Sequence, residues 1–87
     1  MKKIIKKVWP EYFEKIISGD KTFEIRLADW DCEEGDVLVL KEWDPKTKKY
    51  SERVIEKKIT SIYKTKDLSF WTKDEIDKYG FQIIGFK

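Results

Sequence analysis

Histidine is absent from this 87-residue chain, and Cys32 is its only cysteine. A lone thiol cannot form an internal disulfide, and structural zinc sites draw most of their ligands from cysteine and histidine. The sequence therefore predicts no disulfide, no metal site and no cofactor. Cys32 also lacks a histidine to serve as its base, and its acidic neighbours disfavour the thiolate, so we expect an inert side chain.

Long apolar runs are also missing, since the longest covers only residues 37–40. A transmembrane helix needs about 20 apolar residues, and a signal peptide needs an apolar core of about 7 to 15. We therefore expect no membrane segment and a cytoplasmic location. Methionine is as scarce as cysteine, while lysine and glutamate are abundant, a balance that also occurs in thermophile proteins.

The chain has room for one domain only, because domains usually need roughly 50 to 200 residues. Apolar residues make up 40% of it and include four Trp, four Tyr and five Phe, which is enough for one hydrophobic core. We therefore predict a single domain over residues 1–87, present as a monomer.

The net charge of +2 hides a segregation of charge along the chain. Residues 1–10 carry four lysines and no acid, residues 11–44 carry eleven acids against four bases, and residues 46–66 carry eight bases against two acids. Either these charges cancel in the folded molecule, or the basic segments form a patch that attracts an anionic partner.

Periodicity predicts a strand over residues 3–8 and a helix over residues 10–18. Pro10 suits the first helical turn, apolar residues follow at the spacing of one helical face, and Gly19 suits the end. Residues 22–27 then alternate strictly, which predicts a strand with Phe23 and Ile25 on its buried face.

Turn residues at 44–49 separate two strand-like segments, so residues 37–43 and 50–63 are predicted to form an antiparallel hairpin. The run 37–40 is typical of a central strand covered on both faces. A capping box at 72–75 opens a second helix that ends near Gly80, and residues 81–86 return as a closing strand. This order predicts an α+β fold, a mixed β-barrel of about five strands with two short helices. The predicted core includes Ile16, Phe23, Ile25, Leu38, Leu40 and Ile83.

Residues 19–26 read Gly-Asp-Lys-Thr-Phe-Glu-Ile-Arg, which matches the G-x-K-x-x-E-x-R signature of the ASCH family. Segments 10–18, 34–38 and 40–45 also resemble a subgroup of short, uncharacterised ASCH proteins. The resemblance covers about half the chain and implies a PUA-like barrel that binds RNA or a nucleotide. One departure is visible, because the subgroup's Asn-Asp-Arg turn reads Ala28-Asp29-Trp30 here.

The motif also has a physical meaning of its own. On a strand, Glu24 and Arg26 project from the same face, and Lys21 enters beside them from the turn at Gly19. The two cations can hold a phosphate or carboxylate, while Glu24 can accept a hydrogen bond from an exocyclic amine or a ribose hydroxyl. The alternative is an ion-pair network that only fastens the helix to the sheet.

Other candidate ligand-binding residues lie around these charges. Thr22 shares the strand face of Glu24, and Trp30, in an acidic loop, is predicted to be exposed and able to stack on a base. Trp43 and Phe23 are predicted to be core residues instead. The hairpin tip supplies lysines that can neutralise RNA phosphates, namely Lys46, Lys48 and Lys49.

Two functions are compatible with these residues, and we favour a module that binds RNA or a nucleotide-like small molecule. The alternative is a small amidohydrolase acting on acylated, modified nucleosides, because some ASCH-like proteins resemble such enzymes, which use a lysine, a hydroxyl residue and a glutamate. Lys21 and Glu24 would then be catalytic; Glu24 stands where the hydroxyl is expected, which leaves Thr22 as its substitute. Whether the chain is an enzyme stays open, and a structural role is also compatible because fold does not fix function.

Overall fold

The computed structural model describes residues 1–67 and 69–86, so Leu68 and Lys87 lie outside the described part. Its strands are β1 (Lys3–Val8), β2 (Val37–Asp44) and β3 (Lys49–Lys58). Its helices are α1 (Pro10–Ile17) and α2 (Lys73–Tyr79), with a short 3₁₀ turn at Thr65–Asp67 before α2. The predicted α+β class with two short helices is confirmed.

The strands form one open sheet in the order β1-β2-β3. β1 runs parallel to β2, with Lys3 opposite Val37 and Val8 opposite Glu42, and β3 runs antiparallel to β2. The central position of β2 and its hairpin with β3 are therefore confirmed. β3 ends at Lys58, earlier than the predicted residue 63.

The helix α1 packs on one face of this sheet, and the core forms between them. Pro10 occupies the first helical turn, and Phe13 and Ile16, three residues apart, are only 1% and 4% exposed. The buried cluster comprises Val8, Phe13, Ile16 and Leu40, with Leu38 and Ile55 partly buried against it. Apolar area removed from water at this contact stabilises the packing of α1 on the hairpin.

The predicted core is only partly confirmed. Ile16 and Leu40 are buried, and Leu38 and Phe23 are half-buried. The prediction is wrong for Ile25 and Ile83, which are 63% and 51% exposed. Their predicted burial depended on strands over residues 22–27 and 81–86, which the structure does not contain.

Residues 22–27 and 81–86, both predicted as strands, are not strands in the structure. Alternation shows which residues share a face, but a strand also needs a neighbour that takes its backbone hydrogen bonds. The described residues form a three-stranded sheet, and a barrel of about five strands is not confirmed. Val37 and Val39 are accordingly half-buried, because α1 covers only the opposite face of β2.

The helix α2 begins at the predicted capping box. The Glu75 N–H donates to the Thr72 hydroxyl (3.2 Å), and the Thr72 N–H donates to the Glu75 carboxylate (2.9 Å). The bond from the Thr72 N–H, together with one from the Thr72 hydroxyl to the same carboxylate (3.0 Å), lowers the pKa of Glu75. The helix ends at Tyr79, with Gly80 as its cap, near the predicted position. Within the described residues, neither helix has the length and apolarity needed to cross a membrane.

Candidate ligand-binding rim

The signature motif begins where α1 ends. Gly19 has a φ of 84°, a left-handed conformation that glycine adopts without strain, and its N–H donates to the Ile16 carbonyl (3.1 Å). The Lys21 N–H then donates to the Lys15 carbonyl (2.9 Å). These bonds turn the chain at the helix end and fix where the motif residues start.

Lys21, Glu24 and Arg26 converge in space, and we call this cluster the rim. Lys21 Nζ lies 2.6 Å from Glu24 Oε1, and Arg26 Nε lies 2.9 Å from Glu24 Oε2. Each carboxylate oxygen therefore binds a different cation. The sequence predicted this grouping on a strand, whereas the structure forms it from a loop.

Two backbone carbonyls hold the cations of the rim in place. Arg26 Nη2 donates to the Lys7 carbonyl near the end of β1 (2.7 Å), and Lys21 Nζ donates to the Phe23 carbonyl (2.6 Å). The Lys21 ammonium also lies 5.1 Å from the centre of the Phe23 ring, within the range of a cation–π contact. The rim is thus ordered in advance, which lowers the entropy cost of binding a ligand.

The rim is neither fully buried nor freely solvated. The side chains of Lys21, Glu24 and Arg26 are 15%, 17% and 30% exposed. Two cations share one carboxylate, which leaves an excess positive charge, and each cation has N–H donors beyond those used in these contacts. Partial burial strengthens charge interactions relative to water. The rim can therefore donate hydrogen bonds to a phosphate or a carboxylate.

Thr22 and Trp30 are placed differently from the motif charges. Thr22 is exposed, and within the described part of the chain its hydroxyl makes no hydrogen bond to Lys21 or Glu24. Trp30, predicted to be exposed, is half-buried, and Lys6 Nζ lies over its ring at 4.0 Å from the centroid. β1 thus supplies a cation beside the turn where the sequence lacks an arginine.

The hairpin tip is exposed and basic, as expected. Its lysines are Lys46, Lys48 and Lys49. The turn is shaped by Asp44, whose side chain accepts a hydrogen bond from the Lys46 N–H (2.8 Å). β1 and β2 run parallel, so their C-terminal ends lie side by side. The tip follows the C-terminal end of β2, and Arg26 binds the Lys7 carbonyl near the C-terminal end of β1. The rim and the tip therefore lie at the same end of the sheet.

A second charged cluster was missed in the sequence. Glu42 is 6% exposed, accepts a hydrogen bond from the Ser51 hydroxyl (2.5 Å) and lies 3.7 Å from Arg53 Nε. Arg53 Nη1 also binds Glu14 of α1 at 2.7 Å, and this hydrogen bond raises the pKa of the guanidinium. Strand alternation could have revealed the burial of Glu42, because Glu42 lies on the same face of β2 as Leu40. This cluster fastens α1 to the hairpin.

Asp36 fixes the loop that leads into β2. It is 5% exposed, and its two carboxylate oxygens accept hydrogen bonds from the backbone N–H groups of Lys2 (3.0 Å) and Glu33 (2.9 Å). These two hydrogen bonds lower the pKa of the Asp36 carboxyl. The sequence indicated only a turn at this position.

Metal ligands are not gathered anywhere in the described residues, where no three His, Cys, Asp or Glu side chains are placed to hold an ion. Cys32 is half-buried as a free thiol.

Comparison with known proteins identifies the family of the chain. Residues 5–79 match the family described as Domain of unknown function (DUF3850). A protein of Escherichia phage P2, described as "Uncharacterized 12.9 kDa protein in GpA 3'region", is 34% identical over 70 residues, which cover 80% of this chain and 60% of that protein. No solved structure matches the chain. The family match spans most of the chain, from within β1 to the end of α2, and the chain therefore belongs to the DUF3850 family.

Proposed function

We propose that this chain binds RNA or a nucleotide-like small molecule at the rim. The observation that carries the proposal is the convergence of Lys21 and Arg26 on the single carboxylate of Glu24, at 2.6 and 2.9 Å. Preordered, partly desolvated cations with spare donors suit a phosphate, and a neighbouring carboxylate suits a ribose hydroxyl or base amine. The proposal takes the chain as a cytoplasmic monomer, where a reducing environment suits the free thiol of Cys32.

The arrangement of the sheet supports a contribution from the other candidate residues. Lys7 of β1 is opposite Lys41 of β2, so a lysine of the basic N-terminal segment has a lysine of the hairpin as its neighbour. The tip lysines extend this positive surface at the same end of the sheet, and Trp30 offers part of a ring beside Lys6. A phosphate chain held at the rim could therefore continue toward the tip.

We also propose that the chain adopts the barrel of about five strands implied by its ASCH resemblance. Two contacts support this proposal. Arg26 binds the carbonyl of Lys7 on the edge strand β1, and a Cβ placed on Gly85 would lie only 2.6 Å from Phe23 Cε1. Residues 22–27 thus contact β1 through Arg26 and lie close to the 81–86 segment through Phe23, and these are the neighbours that two added strands need.

The amidohydrolase alternative has one specific observation in its favour. Lys21 Nζ and Glu24 Oε1 are 2.6 Å apart, a distance at which a proton can pass between a general base and its partner. Thr22 is exposed and would have to approach this pair on substrate binding. Release of the acyl group from an acylated cytidine by the purified chain is the direct assay, and Lys21→Ala should abolish it if the activity is real.

The binding proposal is tested by Lys21→Ala and Arg26→Ala in a fluorescence anisotropy titration with a labelled single-stranded RNA decamer. Each variant should weaken binding by about tenfold or more, because each removes a charge-assisted hydrogen bond to the ligand. Lys64→Ala, which removes an exposed lysine outside the rim and the tip, is the matched control and should bind nearly as the wild type does.

Thermal melts of the same variants separate binding from stability. The free energy of unfolding should fall by only about 1 kcal/mol in either variant, because Glu24 keeps one cation and the side chains stay partly solvated. Loss of about 3 to 5 kcal/mol, with no RNA or nucleotide bound by the wild type, would make the rim a structural ion-pair network.

A further inference from the structure

The sheet has a second face, opposite α1, on which Ile5, Tyr50 and Val54 are 60%, 55% and 50% exposed. Residues paired across strands share a face, so Lys7, Lys41 and Val54 form one row on it. The next row toward the hairpin tip holds Trp43 and Tyr50. The sheet therefore presents an aromatic pair between a basic row and the basic tip.

These aromatic side chains are available to a ligand. Tyr50 is 55% exposed, and Trp43, predicted to be a core residue, is half-buried with Lys7 Nζ 3.9 Å above its ring centroid. Beside Tyr50 lies an open cleft of about 240 Å³ whose lining includes Lys41, Glu52 and Val54. The lining of the cleft combines a ring, cations and a carboxylate, which are side-chain types that can stack on a base and hydrogen-bond to it.

An irregularity in the hairpin forms this cleft. Between the pairs Lys41↔Val54 and Trp43↔Tyr50, β2 has one residue and β3 has three, so β3 bulges there. Glu52 in the bulge has a φ of 74°, and Lys48 at the tip has a φ of 56°. Residues other than glycine rarely adopt such positive φ values, and backbone positions strained in this way cluster at binding sites.

We propose that this sheet face, defined by Lys7, Lys41, Trp43, Tyr50 and Val54, binds single-stranded nucleic acid. A base stacks on Tyr50 over the cleft, the neighbouring lysines hold its phosphates, and Glu52 accepts a hydrogen bond from an exocyclic amine. The acidic Glu56 farther along β3 is neutralised by Lys3 at 3.3 Å, so it does not oppose the phosphates. The inference rests on the proposed RNA-binding function and adds a second, stacking surface to the rim.

A nucleic acid fits this face better than a second copy of the chain. A twofold dimer places the same patch of both copies together, so Lys7 and Lys41 of both copies would be gathered in one interface. Like charges at close range oppose such an interface, and lysine is depleted from protein contacts in general. The same row is complementary in charge to a phosphate chain.

The test uses the full-length chain with labelled rU10, dT10 and a ten-base-pair RNA duplex as probes. The variants are Tyr50→Ala, which removes the ring, and Tyr50→Phe, which keeps the ring and removes the hydroxyl. Tyr50→Ala should weaken rU10 binding about tenfold, as expected for one lost base-stacking contact, whereas Tyr50→Phe should bind like the wild type. The duplex should bind less tightly than rU10, because its bases are not free to stack, and dT10 shows whether the ribose matters. Tyr79→Ala, at an exposed tyrosine of α2, is the matched control.

A zero-length crosslink gives a readout that does not depend on variant stability. Irradiation of the wild-type chain with a 4-thiouridine decamer should attach the base to peptides that contain Trp43 or Tyr50. Crosslinks confined to residues 21–30, with wild-type affinity for Tyr50→Ala, would overturn the sheet-face site and leave the rim intact. Absence of binding to all three probes would remove both proposals. A concentration-dependent dimer in sedimentation, abolished by Tyr50→Ala, would make the face a self-association surface instead.

Discussion

The buried Glu42 and the half-buried Glu24 differ in ways that separate a structural cluster from a candidate ligand site. Glu42 is surrounded by the Ser51 hydroxyl and by Arg53, whose guanidinium is already bound to Glu14 of α1. Glu24 instead holds two cations that keep further N–H donors and retain 15% and 30% side-chain exposure. We therefore propose that Glu42 serves the stability of the fold and Glu24 serves binding.

Asp36 gives a test at the residue level through pH. Its carboxylate accepts two backbone hydrogen bonds, and these lower its pKa in the folded protein. The folded state therefore binds this proton less readily than the unfolded state. The resulting stability is fully present above about pH 4 and is lost as the pH falls through the lower folded pKa. Asp36→Asn should melt at a lower temperature than the wild type at pH 7 and lose less of its melting temperature between pH 5 and pH 2.

Glu34→Gln is the control for this comparison, since it removes an exposed carboxylate from the same loop. It should melt near the wild-type temperature at pH 7. An acid-induced loss of stability as large in Asp36→Asn as in the wild type would show that other carboxylates cause it.

At the level of elements, local patterns predicted most of the fold. The helix α1 follows from Pro10, the three-residue spacing of Phe13 and Ile16, and Gly19, all within ten residues of one another. The capping box of α2 and the turn at Asp44 are equally local. The convergence of Lys21, Glu24 and Arg26 was also predictable, because they lie within six residues of the chain.

Long-range pairing accounts for what the sequence did not predict. β1 and β2 pair in parallel although α1 and a long loop separate them, and no local pattern specifies that register. The bond from Arg26 to the Lys7 carbonyl joins the motif to β1, and Arg53 of β3 joins Glu42 of β2 to Glu14 of α1, so both are contacts between separate elements. The alternation at residues 22–27 predicted a strand. Alternation reports only which side chains share a face, however, and carries no information about a backbone partner.

Hydrogen exchange tests the proposed barrel at the level of elements. If residues 22–27 and 81–86 pair as strands in solution, their amides should exchange at least about tenfold more slowly than those of the loop 28–34. Gly85→Ala should weaken that protection in both segments, because its Cβ would lie 2.6 Å from Phe23 Cε1. Exchange of both segments at the rate of the loop would leave the open three-stranded sheet as the architecture.

Charge organises the molecule as a whole. The parallel pairing of β1 and β2 places Lys7 beside Lys41, so two lysines that are far apart in sequence become neighbours. Arg26 and the hairpin tip lie at the same end of the sheet, where their positive charges can neutralise RNA phosphates. Such binding releases counterions from the RNA, so added salt should weaken it strongly. A net charge of only +2 is compatible with such a local positive surface, because the acidic residues are concentrated elsewhere in the chain.

The most direct test of the central claim, that the rim binds the ligand, is an NMR titration of the isotope-labelled wild-type chain with a single-stranded RNA decamer. Ligand binding at the rim should give saturable chemical-shift changes that are largest at residues 21–26 and at Lys7, with the amides of α2 nearly unchanged. Changes confined to α2, or none at RNA concentrations near 1 mM, where even non-specific binding is detectable, would contradict it.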